Sequence, residues 1–112
     1  MNNETQFYNI PADIFKLQFS SNEKEQKLHK IYCYIIANYN KEKEFNGLKK
    51  NECYLSFSIL ADDTNISIST VKRLVKEMVE NGDITYVYKS NSKCERSKIY
   101  CNFIANLDYE IK

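Results

Sequence analysis

Between Leu28 and Tyr39 the apolar residues recur at helical spacing, with Leu28, Ile31, Tyr32, Ile35, Ile36 and Tyr39 on one side and Lys24, Glu25, Lys27 and Lys30 on the other. Ser20 and Ser21, followed by Glu23, give this segment a capping-box start, so one long helix is predicted. Upstream, Tyr8 to Leu17 predicts a short N-terminal tether. Pro11 suits a first helical turn there, and Ile10, Ile14, Phe15 and Leu17 supply apolar contacts. Asn46-Gly47 punctuates a loop. Cys53-Tyr54-Leu55 predicts a small strand leading into Ser56, an N-cap, and then a second helix over about Phe57 to Asp63 with Ile59 or Leu60 and Ala61 inward. After a tight turn, Ser67 caps a third helix whose stripe is Val71, Leu74, Val75, Met78 and Val79. Asn81-Gly82 stops it by offering a left-handed conformation.

Past that stop the period changes to alternation. Ile84–Tyr88 and Ile99–Phe103 are rich in β-branched and aromatic residues and predict two antiparallel strands, joined by the polar segment Lys89–Lys98. The last residues, 105–112, predict a short tail, with a last turn of helix as one form of it, that packs Leu107 or Tyr109. The expected class is therefore α+β: a three-helix core, a small first strand and a C-terminal hairpin. One domain spans 1–112, with the tether at 1–19, the paired helices at 57–81 and the hairpin at 83–104.

Composition narrows the function. With 43% hydrophobic residues, two Gly and one Pro, the chain is globular, and it holds no apolar run of about 18 residues. The polar start Met1-Asn2-Asn3-Glu4 carries no cationic leader, so a cytoplasmic protein without a membrane partner is expected. Cys33, Cys53, Cys94 and Cys101 have no metal-ligand spacing and His29 is the single histidine; free thiols, no metal and no cofactor are expected. Phosphate-binding glycine loops and paired catalytic carboxylates are missing too, which argues against an enzyme. The net charge of +1 is low for a nucleic-acid binder, but it is unevenly spread. Lys89, Lys93, Arg96 and Lys98 face Glu95 alone, a local +3.

Phe57 to Lys76 resembles the helix-turn-helix of bacterial and phage regulators. Ala61 stands where that family keeps a small residue, Asn65 where it usually has Gly at a positive φ, Ile66 at the apolar plug, Ser67 at the cap, and Val71 and Leu74 at the inward positions. Thr64 departs from a commonly apolar slot. With the long first helix and the terminal hairpin, Ile10 to Phe103 is similar to the winged helix-turn-helix modules at the front of plasmid and phage replication proteins, and to small plasmid-borne DNA-binding regulators. Such replication proteins carry further domains, so this one domain implies DNA binding more than initiation.

The resemblance implies double-stranded DNA as partner, in plasmid or phage transcription control, replication, partition or conjugative transfer. Homodimerisation on two half-sites, and contact with other replication or transfer proteins, are implied as well. On the recognition helix, Ser67, Ser69, Thr70, Lys72, Arg73 and Lys76 are the expected contacts, with Glu77 and Glu80 kept away from the phosphates. In the wing they are Lys89, Ser90, Asn91, Lys93, Arg96, Ser97 and Lys98, with Arg96 suited to a narrow minor groove. Tyr54, Tyr86, Tyr88 and Tyr100 are expected to fill the sheet and its edges, with stacking on bases, as in single-strand binders, as the alternative. A second reading, favoured by the near-neutral charge, is a winged helix that binds protein instead of DNA.

Overall fold

Burial of the helical stripes against one small sheet organises the chain, a computed structural model of which describes residues 12–90 and 96–111. Tyr8, Ile10 and Pro11 of the tether and Asn91, Lys93, Cys94 and Glu95 of the hairpin lie outside the described residues. In chain order the elements are α1 (Ala12–Leu17), α2 (Glu23–Asn38), β1 (Glu44–Phe45), β2 (Leu48–Lys49), β3 (Glu52–Leu55), α3 (Phe57–Thr64), α4 (Ile68–Glu80), β4 (Ile84–Tyr88), β5 (Ser97–Cys101) and α5 (Asn102–Ile111). This is an α+β architecture with two antiparallel sheets, β1-β2 and β3-β5-β4.

Ile31 and Ile35 of α2, Leu60 of α3, Leu74 and Met78 of α4, and Ile84 and Ile99 of the sheet are all fully buried. They form one core, in which each aliphatic side chain removed from water contributes about 1.5–3 kcal/mol. In the sheet Cys53 lies opposite Ile99, and Ile84 opposite Cys101, so these residues line the inner face. A register shift between Tyr86 and Tyr88 leaves Val87 unpaired; Tyr86 stays inward with Ile99 while Tyr88 comes opposite Lys98. Ion pairing adds one tie between helices: Lys24 Nζ lies 2.7 Å from Glu77 Oε1. Tyr32 ties α2 to the turn after α4 by donating its hydroxyl hydrogen to the Asp83 carboxylate.

Several elements differ from the expectations. The cap of α2 is Asn22, whose side chain accepts from the Glu25 N–H at 3.1 Å. Ser20 instead accepts from the Asn22 N–H at 3.0 Å and donates to the Glu25 carboxylate, bracing the turn ahead of the cap. Asn46-Gly47 is no mere loop. Both residues have positive φ (55° and 81°), as a two-residue hairpin turn demands, and β1 and β2 pair around them. Gly47 is doubly constrained, since a Cβ there would lie 2.6 Å from the Tyr54 hydroxyl oxygen. Buried Asn40 holds this hairpin to the core, donating from Nδ2 to the Leu48 and Glu42 carbonyls at 2.9 Å each.

The second hairpin strand also ends earlier than its alternation suggests. β5 stops at Cys101, and what was read as strand end and tail is the ten-residue helix α5. Phe103 and Ile104 are adjacent and both buried, which a strand cannot achieve on one face. Asn102 fixes the switch: its amide donates to the Gly82 carbonyl at 3.1 Å and to Thr85 Oγ1 at 2.7 Å. Phe103 then meets Tyr32 edge-on, with centroids 5.2 Å apart. The core thus draws on α5 as well as the three expected helices. The side-chain packing expected of Leu107 or Tyr109 lies outside the described side chains.

Candidate nucleic-acid interface

A single left-handed residue sets the angle between α3 and α4. Asn65 (φ 58°, ψ 40°) ends α3, with its N–H bonded to the Ala61 carbonyl, and Ile66 then plugs the turn at 5% exposure. Thr64, the polar residue in an apolar slot, is accommodated because its hydroxyl donates to the Leu60 carbonyl at 2.6 Å. Its hydrogen-bonding demand is met within the helix, so burial costs little. Ser67 next caps α4, accepting from the Thr70 N–H at 3.3 Å and donating to Thr70 Oγ1 at 2.8 Å. Ser69 Oγ lies 3.5 Å from the same hydroxyl. Three hydroxyls therefore gather at the positive end of the α4 dipole.

Because Val71, Leu74, Val75 and Met78 are buried, the opposite face of α4 is fixed outward. It presents Ser69, Lys72, Arg73 and Lys76, all exposed, with Thr70 half-buried beside them. Lys72 Nζ sits 5.9 Å from the ring centroid of Phe57, the first residue of α3. On the distal half, Glu77 is occupied by Lys24. The six residues singled out in the sequence thus share one helix: Ser67 caps it, Ser69, Lys72, Arg73 and Lys76 lie on its open side, and Thr70 is half-buried beside them.

The hairpin residues are arranged differently. Lys89 is exposed, its ammonium 5.3 Å from the Tyr86 ring centroid. Ser90 donates its N–H to Ser97 Oγ at 3.0 Å, closing the base of the hairpin. Arg96 and Lys98 fold back across the outer face of the sheet. The Arg96 guanidinium lies 4.0 Å from the Tyr54 centroid, and Lys98 Nζ donates to the Gly47 carbonyl at 2.8 Å. These two cations belong to the foot of the hairpin. The cluster with Tyr54 and Gly47 had no signal in the sequence, since three separate segments build it.

A common border joins the two groups. Arg96 and Ser56, the cap of α3, line the same cleft, and Phe57 next along the chain carries Lys72. The start of α3 therefore has Lys72 near Phe57 and shares a cleft with Arg96, and its own N-terminal dipole adds to that field.

Elsewhere the titratable groups are structural. Burial pushes the Cys53 thiol up from 9.0 to about 11, and burial also raises Cys101 and Cys33, so none is poised as a nucleophile at neutral pH. Among the described residues no group of His, Cys, Asp or Glu is arranged to hold a metal ion, and no helix is long and apolar enough to cross a membrane. No family model, curated protein or solved structure matches this chain. Its function must be argued from the site itself.

Proposed function

We propose that this protein binds duplex DNA as a winged helix-turn-helix module, with α4 as recognition helix and the β4–β5 hairpin as wing. The observation that carries this reading is the exposed face of α4 from its cap to Lys76, a stretch that holds no acid. There Ser69, Lys72, Arg73 and Lys76 project from a capped helix whose other face is locked into the core. Hydroxyls at the cap suit phosphate oxygens, and an arginine on the groove side suits guanine O6 and N7. Support comes from the antiparallel order β3-β5-β4, which hangs a hairpin beside the helix pair, and from Arg96 at its foot, which lines a cleft with Ser56, the cap of α3. One such helix covers few base pairs, so the protein acts as a homodimer on paired half-sites, in the cytoplasm, in control or maintenance of plasmid or phage DNA.

Replacing Arg73 and Lys76 together by Ala tests this. Binding to AT-rich duplex DNA falls by about tenfold or more while the fold is retained; unchanged duplex binding by a folded variant would contradict the assignment of α4.

A second reading, a winged helix that binds protein, is favoured by α1. Phe15 and Phe19 stack edge-on with centroids 5.6 Å apart, and they are 49% and 74% exposed. Phe19→Ser separates the two: it disrupts a protein complex and leaves DNA affinity intact.

A further inference from the structure

We propose that the outer face of the β3-β5-β4 sheet is a second nucleic-acid surface, one that takes single-stranded DNA independently of α4. Tyr54 and Tyr88 stand on either side of Lys98 in one cross-strand row. Neighbouring strands lie about 4.8 Å apart, so the two tyrosines are separated by roughly 10 Å in the row. The Lys98 ammonium is held beside Tyr54, 2.8 Å from the Gly47 carbonyl and 5.8 Å from the Tyr54 centroid, where it adds positive charge next to that ring. Tyr54, Tyr88, Arg96 and Lys98 together line one shallow cleft of ≈ 450 Å³.

Charge and order both favour this occupant. Among the described residues no carboxylate lines the cleft, and Glu52 of the neighbouring row is buried with its carboxylate accepting the Lys49 N–H at 2.9 Å. The Tyr54 hydroxyl donates to the Asn46 carbonyl at 2.7 Å, which fixes the ring, and Arg96 lies over that ring at 4.0 Å. A guanidinium already seated on an aromatic ring offers its outer plane for stacking at little entropic cost. Tyr88, 45% exposed, supplies the second platform. Duplex DNA hides its base faces, whereas an unpaired strand exposes them, so stacking platforms select the single strand.

The test uses a fluorescent oligo(dT) of about 12 nucleotides, a length that spans a site of this kind, alongside a duplex probe. Tyr54→Leu combined with Tyr88→Ser weakens oligo(dT) binding by about tenfold or more. Tyr54→Phe, which keeps the ring, binds oligo(dT) as the wild type does. Should the double variant fail to fold by circular dichroism, Tyr88→Ser alone at its exposed position carries the test, with a loss of about fivefold or more. Arg73→Ala with Lys76→Ala leaves oligo(dT) affinity within about twofold. Wild-type protein that does not bind oligo(dT), or binding that follows the α4 pair and ignores the tyrosines, overturns the proposal. Wild-type protein that binds oligo(dT) through the tyrosines but binds no duplex removes the α4 reading and leaves this one standing.

Discussion

At Asn65 one backbone conformation decides whether two helices meet at a working angle. Asparagine tolerates φ 58° because its short polar side chain suits the left-handed region, and the turn survives without the glycine usual there. Asn65→Val should lower stability by about 1–2 kcal/mol and Asn65→Gly should leave it level or raised, both read from urea midpoints. Buried protons make a second prediction at this scale. Burial lifts Cys53 from 9.0 to about 11 and raises Cys101; it also raises Tyr32, with the Asp83 hydrogen bond and charge adding to the effect. The native state then holds protons that the unfolded chain gives up, so stability falls as pH rises through that window. Urea midpoints should decline between about pH 9 and 11, and Cys53→Ala should flatten the slope.

At the scale of elements, legibility followed how many signals coincided in one short segment. For α4 the cap, the five-residue stripe and the Asn81-Gly82 stop all fall within one stretch, and its residues lie as the pattern implies. Ser67→Ala removes the cap at a cost of about 1 kcal/mol, measurable by thermal or chemical unfolding. The β1–β2 hairpin, by contrast, has strands of two residues, too short for any period, and is held by Asn40 through contacts to Leu48 and Glu42. The start of α5 was masked because Ile99, Cys101 and Phe103 alternate as a strand would. Only the tertiary bonds of Asn102 and the burial of Ile104 show where the helix begins. At the candidate site, the common placement of the α4 residues was legible because one helix carries them, whereas the seating of Arg96 and Lys98 on Tyr54 and Gly47 joins segments about fifty residues apart.

For the whole molecule, a net charge of +1 gives little long-range pull toward DNA, so affinity must come from where the cations sit. Lys72 lies near Phe57 at the start of α3 and Arg96 lines a cleft with Ser56, while Glu77 is held by Lys24. That exposed ion pair is worth little to folding, and Lys24→Ala should change stability by no more than about 0.5 kcal/mol. The measurement that bears most directly on DNA binding is affinity for an AT-rich duplex as a function of salt. With about four to six phosphates neutralised, log K should fall against log salt with a slope of roughly −4 to −5, and Arg73→Ala should reduce its magnitude by about one. Absent binding, or binding indifferent to salt, would contradict it.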